Sequence, residues 1–189
     1  MLTYIRDNLA GAFEIMLGRP DGLAKIDVSL EGFWRSFGAF VLVLPFALLA
    51  LVSQSRLATL NAESPAVAGH SLGIELAILL VDWLAFPLLF ALIARPLGIG
   101  PRYVPFIVAR NWATVVIGAM MATVHAAFLV GILPAQVTIY VLIAFIAVAL
   151  RFSYVNARIA LDVSLRTALP IVVADFLLSL TIWSAFDGG

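Results

Sequence analysis

Long runs of apolar residues recur along the chain, and they limit its fold more than any other feature. Residues 37–52 and 137–150 are apolar on every face of a helix, whereas a membrane β-barrel would show segments of about ten residues with alternating apolar and polar positions. A helix satisfies its own backbone hydrogen bonds in lipid, where water cannot do so. The runs therefore predict an all-α fold, a polytopic bundle of membrane helices.

The composition also indicates a fold that lipid covers. Of 189 residues, 63% are hydrophobic and 12% are charged, which is far from the composition of soluble domains. The formal net charge is zero, which argues against a nucleic-acid partner. Because the chain has no cysteine, it has no disulfide, no thiolate metal site and no cysteine nucleophile.

Five segments have the roughly twenty residues that a helix needs to cross a hydrocarbon core about 30 Å thick. The predicted spans are residues 36–53, 72–94, 104–130, 134–150 and 167–186. A polar loop at residues 54–69, a turn at residues 95–102 and a hairpin at residues 131–134, with Pro134 at the first helical position, lie between spans. Residues 34–189 are therefore predicted to form a five-span transmembrane bundle.

Residues 1–33 are predicted to form a cytoplasmic or interfacial amphipathic segment. Its apolar residues recur at three- and four-residue spacing, while Arg6, Asp7 and Glu14 take other faces of the helix. The apolar positions are Leu2, Ile5, Leu9, Ala12, Phe13 and Met16. Such a helix either responds to membrane curvature or a partner, or packs under the bundle as an anchor.

The basic residues predict the orientation of the spans. If the spans alternate in direction, Arg56 falls on one side of the membrane and all other basic residues fall on the opposite side. Those residues are Arg6, Arg19, Lys25, Arg35, Arg95, Arg102, Arg110, Arg151, Arg158 and Arg166. The positive-inside rule then places the amino terminus in the cytoplasm and the carboxy terminus in the periplasm. The single lysine and the abundant alanine are typical of a GC-rich bacterium, so we predict the bacterial inner membrane.

Ionisable residues inside the spans are the main candidates for function, because their burial in lipid is costly. Asp82 and Asp175 are predicted near the membrane midplane, about 13–20 Å from the nearest surface at about 1.5 Å per residue. Glu75 lies seven residues before Asp82, on the same helix face. The polar candidates inside the spans are Glu75, Asp82, Arg110, Asn111, His125 and Asp175.

Three interpretations of the two midplane acids remain open at this point. They could form a proton or cation relay of the kind that transporters contain. They could instead stay neutral and form hydrogen bonds across helices with neutral side chains such as Asn111. The third possibility is an ion pair with Arg110 or Arg151, whose long side chains can extend toward the cytoplasm.

His125 is the candidate for a cofactor ligand. It lies among small residues, in a setting where a histidine can bind the metal of a haem or chlorin. His70, the other histidine, is predicted in or beside the outer loop. The simpler interpretation is a core histidine with a hydrogen-bond partner, and we predict neither a cofactor nor a metal site. The sequence also lacks the motifs of known catalytic sites, so we expect no enzyme.

The segment after the fourth span supplies the candidates on the cytoplasmic side. Residues 151–166 contain no helix breaker, and Arg158 and Asp162 have i,i+4 spacing, so the fourth helix is predicted to extend into water. Tyr154 lies in the same segment.

The chain resembles the YIP family of five-span membrane proteins. The resemblance rests on the five spans, on Gly18-Arg19-Pro20, on Phe86-Pro87 and on a stretch that runs from Tyr154 through Arg158 to Ala160-Leu161. It implies an amino terminus in the cytosol. Eukaryotic members of that family bind Rab-type GTPases and shape vesicle membranes, and the resemblance assigns no functional residue to this chain.

Two functions follow from these features. The first is a non-enzymatic inner-membrane protein that acts as a membrane-organising protein, a scaffold or an accessory subunit. Its partners would be the lipid bilayer and another membrane protein or a second copy of the chain. The second is a small transporter or channel component that uses Asp82 and Asp175.

Overall fold

The computed structural model describes residues 1–60 and 71–187, and in these ranges the chain is helical with no strand. The helices are α1 (Leu2–Met16), α2 (Leu30–Ser36), α3 (Ala39–Leu60), α4 (Leu72–Ala94), α5 (Tyr103–Leu129), α6 (Ala135–Leu161) and α7 (Leu165–Asp187). Short 3-10 turns at Pro20–Lys25 and Gly100–Arg102 precede α2 and α5. The predicted all-α fold is confirmed.

Five segments are long and apolar enough to cross a membrane, as the sequence predicted. They are Leu30–Leu60, Leu72–Ala94, Gly100–Leu129, Ala135–Leu161 and Leu165–Phe186. The chain is therefore a membrane protein built as a helical bundle.

The far end of the first span differs from the prediction. Residues 54–60 belong to α3 and not to a loop, and the rest of the predicted loop, together with His70, lies outside the described residues. Arg56 explains why a helix continues through polar sequence: its Nη1 donates to the carbonyl oxygen of Leu129 at 2.7 Å. Its guanidinium also lies 5.4 Å from the ring centre of Phe128.

The end of α6 also differs. The helix runs past the predicted span to Leu161, but Asp162 takes the left-handed conformation (φ 56°) and ends it, so the predicted continuous extension to residue 166 is wrong. Asp162 consequently does not pair with Arg158. Its carboxylate accepts from Arg102 Nη2 at 3.2 Å, which joins the α4–α5 connection to the α6–α7 connection.

α5 is the central helix of the bundle. It contacts α3, α6, α1 and α2, and Ile107, Val108 and Ala109 on it are fully buried. A Cβ at Gly118 would lie 3.3 Å from the Phe46 ring of α3, so this glycine allows the two helices to approach closely. α7 packs on the other side of the bundle, against α4 and α6.

The amino-terminal layer, residues 1–37, packs against one end of this bundle. α1 contacts α5, α6 and the 3-10 turn at Pro20–Lys25, and it buries Asn8, Gly11, Ala12, Ile15 and Met16. The predicted apolar stripe is buried only in part, because Leu2 is 83% exposed and Phe13 is 44% exposed. α1 is thus a packed helix of the bundle, which is one of the two alternatives that its sequence left open.

Polar contacts hold the amino-terminal layer together. Asn8 Oδ1 accepts from the backbone N–H of Asp27 at 3.1 Å, and Lys25 Nζ donates to Glu14 at 2.7 Å. The Tyr4 hydroxyl donates to the carbonyl oxygen of Gly32 at 3.4 Å. Burial raises the pKa of Tyr4 above its ordinary value, and the nearby Asp27 carboxylate adds to this effect.

Candidate functional site

A cavity that is partly open to the surface lies between α4, α5, α6 and α7, and both polar and apolar side chains line it. Its larger compartment, of about 270 Å³, is lined by Asp82, Arg110, Asp175 and Ser179 among other residues. A smaller compartment of about 50 Å³ reaches Phe86 and Asn156. The two compartments share a wall made of Arg110, Thr114, Ile117, Ser153, Val172 and Asp175. We call the two compartments together the α4–α7 cavity.

The two acids reach this cavity from the middle of their helices. Asp82 in α4 and Asp175 in α7 each lie ten residues after the first residue of their helix and twelve before the last. Because α4 packs against α7, the two carboxylates face the same space. The sequence could place each acid at mid-helix, but it gave no sign that both would line one cavity.

Arg110 and Asp175 form a two-pronged ion pair between α5 and α7. Arg110 Nε donates to Asp175 Oδ2 at 3.0 Å, and Nη2 donates to Oδ1 at 2.8 Å. The two side chains are 15% and 23% exposed. The guanidinium also stacks over Phe86, 4.9 Å from its ring centre, which suits a weakly hydrated planar cation. For Asp175, the structure therefore contains the ion pair of the third interpretation, with Arg110 as the partner.

Asp82 has a different kind of partner. Its Oδ1 accepts from the hydroxyl of Ser179 at 2.6 Å. This is the kind of contact across helices that the second interpretation expected, and an ionised carboxylate accepts such a bond as well as a neutral acid does. Arg151, the other basic residue considered, instead donates to the carbonyl oxygen of Met16 at 3.3 Å. The two acids, which look alike in the sequence, are therefore unequal: one is paired with a cation and the other with a neutral hydroxyl.

Asn156 on α6 is a cavity residue that the sequence analysis did not select. Its side chain is 2% exposed, and its Oδ1 accepts no hydrogen bond from any residue that the structure describes. Ser153, one helical turn earlier, lines the cavity as well. The three-residue spacing of Ser153 and Asn156 puts them on one helix face. That spacing was the available signal, but this segment was expected to lie in water.

Other predicted candidates lie elsewhere. Asn111 is fully buried and donates to Ser36 Oγ at 3.0 Å, on the side of α5 that packs toward α2. Glu75 is half-buried two helical turns before Asp82 and is not among the cavity residues. Tyr154 packs against the hydrophobic core, and Arg158 is exposed.

His125 is part of the contact between α3 and α5. It is 3% exposed, and its Nδ1 lies 2.9 Å from the hydroxyl of Ser53, which is fully buried. These are the surroundings of a core histidine with a hydrogen-bond partner. A haem or chlorin could reach the ring only if α3 and α5 separated. In the described ranges, no three histidine, acidic or cysteine residues cluster as metal ligands.

Comparisons with known proteins add no relative to these observations. No family model, curated protein or solved structure matches this chain. The resemblance to the YIP family is therefore still a prediction from topology and short patterns. The cavity has to be interpreted from its own chemistry.

Both hydrogen-bond acceptors and hydrogen-bond donors line the cavity. Two carboxylates and one guanidinium line it, so its formal charge is negative when all three groups are ionised. The hydroxyl of Thr114 donates to the carbonyl oxygen of Arg110 at 3.0 Å, and that of Ser179 donates to Asp82. The lone pairs of both hydroxyl oxygens are consequently left to accept.

Proposed function

We propose that the chain is a small membrane transport component that takes up a proton or a small solute in the α4–α7 cavity. One observation carries the proposal: Asp82, Arg110 and Asp175, from three different helices, line one cavity among helices long enough to cross a membrane. Ionisable side chains are costly at membrane depth, and those that occur there commonly line substrate, ion or proton pathways. This is the transporter alternative of the sequence analysis.

The space beside the ion pair favours transport over a purely structural role. A structural ion pair between helices is most stable when the surrounding side chains pack closely against it. Here a partly open compartment of about 270 Å³ adjoins the pair, so side chains do not pack closely against it on every side. Asp82 faces this compartment with a hydroxyl partner only, so its carboxylate is available to a proton or a solute.

Proton flux into proteoliposomes tests the proposal. The purified chain is reconstituted with an entrapped pH-sensitive dye, and a potassium gradient with valinomycin sets the membrane potential. We expect flux above that of empty vesicles in the parent chain and flux at the empty-vesicle level in Asp82→Asn. The asparagine retains an oxygen that can accept from Ser179, so the fold should survive the change.

The matched control is Asp7→Asn, because Asp7 lies in the amino-terminal layer and pairs with the exposed Arg6. This variant should transport as the parent chain does. The proposal fails for protons if folded parent protein and Asp82→Asn both remain at the empty-vesicle level. If the folded parent chain also takes up no radiolabelled methylammonium, the transport proposal fails altogether.

We further propose that the protein resides in a bacterial inner membrane with its amino terminus in the cytoplasm. In that orientation the amino-terminal layer and the connection joined by Arg102 and Asp162 face the cytoplasm. The distribution of the basic residues supports this orientation.

A non-enzymatic scaffold or accessory subunit is the second candidate. The observation that favours it is the amino-terminal layer, which is held firmly on the bundle and would present a fixed surface to another membrane protein or a second copy. The resemblance to the YIP family points the same way. Absence of any flux from a folded, reconstituted chain would favour this candidate over transport.

A further inference from the structure

The chemistry of the α4–α7 cavity narrows the class of solute. We propose that it binds a small organic cation with N–H donors, of the alkylammonium class, and that Asp82 is its main anchor. This inference rests on the proposed function, because it names the solute of the same site.

Charge favours a cation. Arg110 uses two of its N–H groups on the two oxygens of Asp175, so these two residues largely neutralise each other. The carboxylate of Asp82 has Ser179 as its partner, and it is therefore the charge in the cavity that is least compensated. An anionic solute would be repelled by Asp82, whereas a cation would complete its coordination.

Hydrogen-bonding capacity favours a solute that donates. Asn156 Oδ1 is a buried acceptor with no donor in the described part of the chain, and its residue lines the smaller compartment. The hydroxyl protons of Thr114 and Ser179 are already donated to protein oxygens. An ammonium group has three N–H donors and no acceptor, which matches the Asp82 carboxylate and the hydroxyl oxygens of the larger compartment. The Asn156 oxygen would accept from a group that reaches the smaller compartment.

Size and apolar surface favour a short organic chain over a bare metal ion. The larger compartment of about 270 Å³ has Ile117, Ile146, Val172 and Phe176 in its wall. These side chains supply no ligand to a metal ion, but they suit one or two methylene groups.

Thermal unfolding of the full chain in a mild detergent tests binding without requiring transport. Intrinsic tryptophan fluorescence is followed while methylammonium chloride is added, with tetramethylammonium chloride, sodium chloride and sodium acetate as comparisons. We expect methylammonium to raise the Tm in a saturable way, because it binds the folded chain. Tetramethylammonium, which has the same charge but no N–H, should not reproduce this shift, and neither should the sodium salts.

Variants assign the effect to the cavity. Asp82→Asn should weaken methylammonium binding at least about tenfold, because a hydrogen bond to a charged group is lost. Asn156→Leu keeps the branched shape of the side chain, with a somewhat larger volume, and removes the acceptor. It should weaken binding by a smaller factor, and it remains informative if Asp82→Asn does not fold. Asp7→Asn should bind as the parent chain does.

Three results would overturn the inference: no shift with methylammonium beyond that of sodium chloride, an equal shift with tetramethylammonium, or a larger shift with acetate. Uptake of radiolabelled methylammonium into proteoliposomes separates the inference from the proposed function. Binding without uptake retains the solute class and rejects transport. Proton flux without methylammonium binding retains transport and rejects the solute class.

Discussion

At the scale of single residues, the ion pair between Arg110 and Asp175 explains how two charged side chains can be buried inside the bundle. Each charge loses hydration when it enters the bundle, and the loss is several kcal/mol per ion in a protein interior. Two parallel N–H to oxygen contacts at 2.8 and 3.0 Å offset much of that cost. Removal of one partner would leave the other charge buried without compensation.

Single and double substitutions measure this coupling. Arg110→Met and Asp175→Leu should each lower the free energy of unfolding by about 3–5 kcal/mol, whereas the double variant should lose much less, because no buried charge is left alone. Reversible unfolding in mixed micelles is the measurement. Arg6→Met is the control, since the Arg6 side chain is 77% exposed and exposed pairs contribute about 0–1 kcal/mol. Additive losses in the double variant would contradict an energetically coupled pair.

The charged residues of the cavity could be predicted from the sequence, but their contacts could not. The cost of burying charge identified Asp82, Asp175 and Arg110 from the sequence alone. Their partners could not be derived, because contacts across helices depend on how each helix is rotated and shifted along its neighbour. Asn156 was missed for a related reason. The length of the apolar run does not reveal how far along α6 the helix remains packed in the bundle.

At the scale of elements, the contact between α1 and the following 3-10 turn depends on two glycines. A Cβ at Gly11 would lie 2.6 Å from the carbonyl oxygen of Gly22, and a Cβ at Gly22 would lie 2.5 Å from that of Gly11. These are backbone atoms, which cannot rotate away. The close approach allows α1 to bury Met16 against Ala113, a residue that lines the smaller compartment of the cavity.

Gly11→Ala should therefore separate the 3-10 turn from α1, although alanine is the better helix former by about 1 kcal/mol. We expect a lower Tm and faster proteolysis within residues 1–37. Gly73→Ala is the matched control, since Gly73 is also helical and its nearest neighbour atom for a Cβ is Ser71 Oγ at 3.9 Å. If Gly11→Ala were as stable as Gly73→Ala, the glycine contact would not be what holds the layer.

The positions of the helices could largely be predicted from the sequence. The second span, residues 72–94, matches α4 at both ends, because Arg95 and the glycines after it interrupt the apolar run. The end of α3 was misjudged, since a helix can continue through polar residues once a contact such as Arg56 with the Leu129 carbonyl satisfies them. The end of α6 was misjudged in the opposite direction, because Asp162 takes the left-handed conformation and ends the helix before residue 166. For α1, the spacing predicted a helix but did not specify which of its apolar residues would be buried.

At the scale of the whole molecule, the absence of cysteine makes the proposed orientation directly measurable. A thiol placed at Thr3, which is exposed in the amino-terminal layer, should react with a membrane-impermeant maleimide only after the cells are opened. A thiol at Ile132, 73% exposed between α5 and α6, should react in intact cells. The reverse labelling pattern would invert the orientation. Equal labelling of both sites in intact cells would indicate two insertion states.

The contact between Arg151 and the Met16 carbonyl oxygen can form only late in the synthesis of the protein. The two residues are 135 positions apart. Because ribosomes add about 5–20 residues per second, about 7–27 s pass between the synthesis of Met16 and that of Arg151. Until then the last carbonyls of α1 lack the positive charge that favours a helix carboxy terminus. A nascent chain that stalls before α6 is complete would expose the part of α1 that the finished protein packs against α6, and membrane quality-control proteases could recognise it by that surface.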